Sequence, residues 1–430
     1  MAERVPAIAT KSASKALEIT QELLRDYHPR NFAIEFWDGS RWDAEPGQFC
    51  RFTWQIHHPS VLRSLIRPDR QVALGEAFIY GDFDISGDIL AVFPIAEYLE
   101  QKHFGAGSKL RLATMLLSLP SKLHDEEHAR PELHGRTHSK SRDRQAVSFH
   151  YDLSNDFYQL WLDSRMVYSC AYFKSSNDDL ETAQSQKLDH ICRKLRLRPG
   201  ERLLDIGCGW GGLILHAARN YGVKAIGITL SRQQLALAQQ RIREAGLASC
   251  CQAHLVDYRD AQQFGEFDKI VSVGMVEHVG ESALPEYFRC AFNLLKPGGV
   301  FLNHGIGRAG TRSKPAEKTF TDVYVFPDGE LVPISTMLTH AERAGFEVRD
   351  VENLREHYFL TLCSWLRKFE ARETQASELV GELKYRIWRL YLAGSAYYFQ
   401  CGKLDLYQSL LLKNADGPSR MPLTRADWYR

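Results

Sequence analysis

The stretch that most constrains the fold is Glu201-Arg-Leu-Leu-Asp-Ile-Gly-Cys-Gly-Trp-Gly-Gly212. It starts as a buried strand, Arg202 to Ile206, and then sets four glycines within six residues, at Gly207, Gly209, Gly211 and Gly212. An apolar helix follows, from Leu213 to Ala218. Glycines let the backbone take left-handed angles and approach a ligand with no Cβ in the way. A strand, a glycine turn and a helix N-terminus together make a nucleotide-type site at the carboxyl edge of a parallel sheet. A glycine-rich turn by itself is equally a tight strand-to-helix connection, so the weight falls on the next hundred residues.

Those residues repeat the rhythm. Residues 223–228 read as a second strand, leading into Thr229-Leu-Ser-Arg-Gln-Gln234 and a helix to Glu244. Ser231 with Gln234 fits a capping box, so both can simply close that helix. A nicotinamide-dinucleotide site would more often end this strand in an acid that holds the ribose; here it ends in Thr229, which weighs against a simple dehydrogenase. Residues 254–260 look like a third strand ending in Asp257, positioned for a base edge. Phe267 to Val273 is a fourth, ending in Gly274-Met-Val-Glu-His-Val-Gly280. A helix near 284–295 stops at Lys296-Pro-Gly-Gly299, and 300–304 is a fifth strand. Strands alternating with helices imply a doubly wound parallel sheet.

Upstream, residues 1–30 read as a polar leader and a short helix. Phe32 to Trp42 reads as a hairpin turning at Asp38-Gly39. Apolar stretches at 49–56 and 73–83 and helical periodicity at 89–99 complete a small α+β domain with no catalytic cluster. Residues 103–145 carry many His, Lys and Arg, with Pro120 and Pro131 as breakers. They read as a helix near 109–117 and an exposed basic connector, with attraction to an anionic membrane surface as the sharper reading. His150-Tyr-Asp-Leu-Ser-Asn-Asp-Phe-Tyr158 and Met166-Val-Tyr-Ser-Cys-Ala-Tyr172 put aromatic faces beside hydroxyls, a setting for a cationic, partly apolar ligand or for an amphipathic helix packed by its rings. A helix with apolar positions Leu180, Ala183, Leu188, Ile191 and Leu195 ends at Pro199-Gly200.

Composition excludes several classes. A net charge of +1 argues against a dedicated nucleic-acid binder. The nine cysteines are scattered without CxxC pairs, so neither a metal centre nor a disulfide framework is indicated, and a reducing cytosol fits best. The first twenty residues lack a signal-peptide core, and no run of about 18 apolar residues exists to span a bilayer.

Taken in order, these motifs resemble a class I S-adenosylmethionine-dependent methyltransferase: α/β, Rossmann-like, with a mostly parallel seven-stranded sheet and a smaller α+β N-terminal domain. More narrowly the chain resembles the cyclopropane fatty acid synthase family, which includes mycolic acid cyclopropane synthases and fatty acid methylases. The matching text is His150-Tyr-Asp-Leu, Tyr168-Ser-Cys170, Leu204 to Gly212, Gly227-Ile-Thr-Leu-Ser231 with Gln234, Asp257-Tyr-Arg-Asp260, Ser272 to Gly280, and His304-Gly-Ile-Gly307. The likeness runs from about His150 to Tyr358 and more loosely to the C-terminus. The expected domains are 1–118, a small α+β unit for lipid binding or dimerisation; 119–145, a basic linker; and 146–430, the methyltransferase with a helical C-terminal part lining the acyl site.

The resemblance implies S-adenosylmethionine held by Tyr168, Ser169, Asp205, Gly207, Gly209, Gly211, Thr229, Ser231, Gln234, Asp257, Tyr258 and Arg259. It also implies a bicarbonate ion held by Cys170, Glu277, His304, Ile306 and Tyr358, with Cys170 and Ile306 acting through the backbone, and no metal. The chemistry is coherent. A cis alkene is a poor nucleophile and must meet a sulfonium methyl in a dry, aligned pocket. The resulting cation must lose a proton for a three-membered ring to close, and a weak base can take it. Each residue also has a plain structural use: Glu277 as a helix cap, His304 as a core histidine, Tyr358 as a packed ring, Cys170 as a small buried hydrophobe.

The family often has Phe where this chain has Val276, and Thr where it has Gly305, departures that bear on the product. The expected activity is cyclopropanation of cis-unsaturated phospholipid acyl chains by a cytoplasmic, peripherally membrane-associated enzyme, possible as a homodimer. The alternatives are a methylase making methylene- or methyl-branched chains, a small-molecule methyltransferase, and a non-catalytic lipid- or cofactor-binding protein. In the C-terminal third, 320–329 reads as an inserted segment or lid. Residues 336–344, 358–369 and 385–399 read as helices and 346–351 as a strand. The aromatic stripe of the last helix serves either as core or as an acyl tunnel or membrane face.

Overall fold

Strand runs that are apolar on both faces must be covered on both faces, and the central sheet shows how. The fold is described from a computed structural model, for residues 7–121, 133–151, 153–310, 318–415, 417, 419 and 421–429. These residues form two compact units: one takes in those of 1–130 and 315–325 with Glu382–Tyr397, the other most of the remaining chain.

The smaller unit holds a four-stranded sheet of β1 (Phe32–Glu35), β2 (Arg41–Trp42), β3 (Phe52–Ile56) and β4 (Phe83–Gly87), in the order β2-β1-β3-β4. The expected hairpin is present: β1 and β2 pair antiparallel, and Gly39 takes the positive φ of 83° that the turn demands. Its helices include Ala7–Leu23, Arg70–Ile79, Phe93–Gln101 and Ala106–Leu117.

Two later segments join this unit, which corrects the domain boundaries read from sequence. Arg386 Nε donates to Phe78 O at 2.7 Å and Nη2 to Phe83 O at 2.9 Å, while Arg389 Nη2 donates to Ile85 O at 3.1 Å. These guanidinium groups tie Glu382–Tyr397 to strand β4. The stripe of Trp388 and Leu392 is buried. The segment read as a lid is a helix, Phe320–Tyr324, closed by a Thr319–Asp322 capping box. Tyr324 Oη donates to Glu76 Oε1 at 2.8 Å, and Phe320 lies so close over Gly75 that a Cβ there would overlap its ring.

The larger unit is built on β5 (Arg202–Ile206), β6 (Lys224–Thr229), β7 (Cys251–Leu255), β8 (Phe267–Val273), β9 (Leu295–Arg308), β10 (Glu347–Asn353) and β11 (Leu404–Leu412). Their order is β10-β11-β9-β8-β5-β6-β7, with β5 to β9 parallel and β11 antiparallel to both its neighbours. Successive side chains alternate between two cores, as strand geometry requires. Leu203, Val271 and Leu302 join a cluster with helices Leu180–Leu195, Gly212–Tyr221 and Arg232–Glu244. Leu204, Ile270 and Phe301 join the opposite one with Leu284–Leu294 and Ile334–Arg343. The chain leaves β5 toward β6 and β7 on one side and returns through β8 and β9 on the other. The carboxyl ends of β5 and β8 therefore flank the switch point where such sheets take ligands.

Other differences from the sequence reading are local. Strand β7 ends at Leu255, because Asp257 accepts from Arg259 N at 2.9 Å and starts a 3-10 turn, Tyr258–Phe264. Strand β11 fills a place the sequence reading left empty. Of the stretch read as a linker, 122–132 lies outside the described residues and Lys140 onward is helical, Lys140–Tyr151. Residues 1–6 of the polar leader also lie outside them.

Candidate active site

At the carboxyl end of β5 the chain turns through Gly207, Gly209 and Gly211, with φ of 86°, 54° and 81°. A Cβ on Gly209 would meet nothing within 4 Å. Its left-handed backbone, rather than crowding by protein, makes glycine the fitting residue, and the space above it stays open for a ligand. Gly207 and Gly209 border a cleft. Its wall includes Tyr168, Ser169, Asp205, Thr229, Gln234, Asp257, Tyr258 and Arg259, so most of the residues proposed for the cofactor converge.

Ser231 and Gly211 do not reach that wall. Ser231 is fully buried as the N-cap of Arg232–Glu244, its hydroxyl accepting from Gln234 N at 3.2 Å. Gly211 caps Gly212–Tyr221. The capping use of Ser231 therefore prevails, whereas the Gln234 side chain turns to Thr229 instead of closing a capping box. Its Oε1 accepts from Thr229 Oγ1 at 2.7 Å, fixing two wall residues together. On the opposite rim Arg259 clamps Asp257 through Nε and Nη2, both at 2.7 Å, and reaches Asp143 Oδ2 at 2.8 Å. Asp143 and Tyr151 bring helix Lys140–Tyr151 into the wall.

The Tyr168-Ser169 segment is held from beneath by Gln184, whose Nε2 donates to Val167 O at 3.2 Å and Ser169 O at 2.9 Å. Tyr158 and Trp161 are fully buried under Tyr168, so most of the aromatic cluster is core, and Tyr151 and Tyr168 face the cleft. Met166 enters this wall with φ of 56°, a left-handed angle that a non-glycine residue adopts at a cost.

The acid and histidine expected for chemistry lie outside that wall but form one neighbourhood. Glu277 follows β8 in a 3-10 turn, Val276–His278. Its Oε1 accepts from Ile306 N at 2.6 Å, and its Oε2 is buried without a partner. Burial pushes this carboxyl up to about 7, with the Ile306 N–H pulling the other way. His304 is buried on β9, and Gln408 on β11 lies opposite it in register. Gln408 Nε2 meets His304 Nδ1 at 3.1 Å, and burial holds the ring well below its ordinary pKa. With Gln408 donating to Nδ1, the neutral ring carries its proton on Nε2, which is buried without a partner.

The remaining members connect through the backbone. Ile306 faces Leu406 in register; Leu406 O accepts from Leu354 N at 2.7 Å; Leu354 O accepts from Tyr358 N at 3.1 Å and from Cys170 Sγ at 3.8 Å. Tyr358 packs its ring on Phe399 at 4.6 Å. Burial pushes the Cys170 thiol up, so that it stays a neutral packing group. One expectation shifts: the Ile306 N–H is engaged with Glu277, so its first role here is to position that carboxylate.

A family model described as mycolic acid cyclopropane synthetase matches residues 138–409. The chain belongs to this family. A second model, described as a domain of unknown function, matches residues 19–108. The chain is 43% identical over 401 residues to a probable fatty acid methyltransferase of Pseudomonas putida, covering 92% of this chain and 96% of that protein. It is 38% identical over 272 residues to the cyclopropane-fatty-acyl-phospholipid synthase of Escherichia coli K12, covering 63% and 69%. A solved mycolic acid cyclopropane synthase complexed with SAH and CTAB superposes with a TM-score of 0.60 at 35% identity, over 63% of this chain and 98% of that one. Like these relatives, the chain is an S-adenosylmethionine-dependent methyltransferase of the cyclopropane and methyl-branch fatty acid synthase family. The open space over Gly209 and the unpartnered, buried Asp205 Oδ1 fit that cofactor's nucleoside and its charged amino-acid end.

Sequence reasoning missed Lys187, Gln184 and Asp143 as functional candidates. For the first two a signal existed: both are polar residues on the apolar stripe of Leu180–Leu195, a pattern that marks a buried polar site.

Proposed function

We propose that this enzyme adds a methylene across the cis double bond of phospholipid acyl chains, with bicarbonate as the general base. The observation that carries the reading is that Glu277 Oε2 and His304 Nε2 are both buried without a partner, on residues linked through β9 by the Ile306 N–H that Glu277 accepts. A bicarbonate ion has both a hydroxyl proton to give and anionic oxygens to receive one, so this corner suits it. When bound, the cofactor supplies an electrophilic methyl group and bicarbonate a weak base for the departing proton.

The side chains do the rest. Tyr168, Ser169, Asp205, Thr229, Gln234 and the Asp257–Arg259 segment hold the cofactor against the glycine turn, with Ser231 fixing Gln234. Glu277, set by the Ile306 N–H, and His304, set by Gln408, orient the base. Tyr358 and Cys170, tied to Leu354, close the corner. Burial keeps water from competing for the cationic intermediate. The enzyme meets its substrate peripherally, at the anionic cytoplasmic face of a membrane, a reading supported by the basic stretch 103–145. Among the described residues no helix is long and apolar enough to cross a bilayer.

A second reading keeps the same site and changes the product to a methylene- or methyl-branched chain. It is favoured by the 43% identity, over nearly the whole chain, to a protein named as a probable fatty acid methyltransferase. Incubation with methyl-labelled S-adenosylmethionine and vesicles of cis-unsaturated phospholipid separates the two. Label in acyl chains with ring protons by NMR is the expected result; vinylidene protons establish the branched product, and no label in lipid rejects both.

A further inference from the structure

Lys187 is a buried cation that the chemistry above does not use. It sits on helix Leu180–Leu195, 1% exposed, in the wall of the cofactor cleft. Its Nζ donates to Ser169 Oγ at 2.8 Å. The same wall holds Asp205, 2% exposed, whose Oδ1 has no partner. Burial lowers the Lys187 ammonium to about 8, opposed by Asp163, Cys170 and Asp205. Burial raises Asp205 to about 7, opposed by Lys187. The two attract, yet no ion pair joins them, so each keeps bonding capacity toward the cleft.

A wall in which a buried cation and a buried anion are not paired with each other is complementary to a ligand end that carries both signs. Free α-amino acids have that pattern, and so does the methionine end of S-adenosylmethionine. A lone buried ammonium has three donors, and one is spent on Ser169. By accepting from Lys187, Ser169 Oγ keeps its own proton to give. Lysine and serine together thus present a donor pair suited to a carboxylate.

We propose that Lys187 binds the α-carboxylate of S-adenosylmethionine, with Ser169 beside it, while Asp205 takes the α-ammonium. This rests on the assignment of the cleft to the cofactor. It makes Lys187 a determinant of cofactor recognition, separate from the Glu277 corner that handles the proton.

The test is calorimetric titration of the intact protein with S-adenosylhomocysteine, S-adenosylmethionine and decarboxylated S-adenosylmethionine. Wild type should prefer the carboxylate-bearing cofactor over its decarboxylated form by on the order of tenfold to a hundredfold, the worth of one or two charge-assisted hydrogen bonds. Lys187→Met should lose that much affinity for S-adenosylmethionine and bind the decarboxylated form within about threefold of wild type. Asp205→Asn should weaken both ligands and keep the discrimination. If wild type binds both forms equally, the carboxylate assignment falls without any variant being needed. If Lys187→Met weakens both ligands equally, the lysine is structural and the cofactor assignment survives. If wild type binds none of the three, the cleft assignment itself fails.

Discussion

Asp205 and Glu277 are both buried acids near the carboxyl ends of adjacent strands, and burial pushes each up to about 7. Their surroundings differ in kind. Asp205 shares its cleft with the buried ammonium of Lys187, so that corner carries both signs of charge. Glu277 has one backbone N–H from Ile306, and its shift comes from burial and backbone hydrogen bonds with no charged neighbour contributing, so the acid carries hydrogen-bonding capacity with little compensating charge. A raised carboxyl is therefore not a single signature. Beside a cation it is a binding group; beside a neutral donor it is equipped to manage a proton.

The largest expected effect tests that division directly. Glu277→Gln should lower turnover about 10²- to 10³-fold while leaving S-adenosylhomocysteine affinity within about threefold. Asp205→Asn should do the reverse, weakening cofactor binding by roughly tenfold or more and changing saturated turnover far less. Turnover and calorimetry on the two variants decide. If both substitutions moved the same parameter, the two corners would be one site and the comparison would collapse.

The same contrast has a stability side. An acid whose pKa is raised by folding binds its proton more tightly in the folded chain than in the unfolded one. Its burial therefore costs nothing below about pH 4, and stability is lost as pH rises through about 7. Glu277→Gln should thus be more stable than wild type at pH 8, by up to roughly 3 kcal/mol, and close to it near pH 4. Melting curves at the two pH values check this; a difference of equal size at both would show that the carboxyl is not the source.

A smaller effect lies beside the Glu277 corner. A Cβ on Gly305 would overlap Val276 Cγ1, so the two departures from the family pattern touch one another beside Glu277 and Ile306. Gly305→Ala should destabilise by about 1–3 kcal/mol through overpacking. Val276→Ala, which removes the offending methyl, should restore most of that loss in the double variant. Strict additivity in a chemical-denaturation cycle would mean that the two side chains do not meet. Product analysis of the double variant would show whether this contact also sets ring against branch.

What the sequence made legible follows from where local chemistry suffices. The glycine turn, the alternation from β5 to β9 and the Ser231 cap depend on neighbours in the chain, and the structure has them. The turn at Asp38-Gly39 is another such case. Partners distant in sequence were illegible. Nothing local in Arg386 and Arg389 says that their acceptors are the carbonyls of Phe78, Phe83 and Ile85, so nothing local assigns the helix carrying them to the smaller unit. Strand β11 is rich in leucine, a good helix former, and its strand state comes from pairing with β9 and β10 on either side. Among the site residues, Glu277, His304 and Ile306 were recognisable as motif letters. That Ile306 serves Glu277, and that Gln408 serves His304, required the register of β9 with β8 and β11.

Gln408 gives the finest test, because it acts on the donor side of the Glu277 corner without touching the acid. Its Nε2 meets His304 Nδ1 at 3.1 Å, and both residues are buried. Replacing it by leucine removes the donor that keeps the imidazole proton on Nε2. Gln408→Leu should lower kcat/KM about three- to tenfold, the worth of one neutral hydrogen bond, and leave S-adenosylhomocysteine affinity unchanged. Nitrogen NMR of the His304 ring supplies the readout that a merely structural role would not move: the tautomer with the proton on Nε2 in wild type, and a mixture in the variant. If activity fell with the tautomer intact, Gln408 would matter only as packing between β11 and β9. If the tautomer shifted with activity intact, the Nε2 proton would not be needed, and the bicarbonate reading would lose its donor.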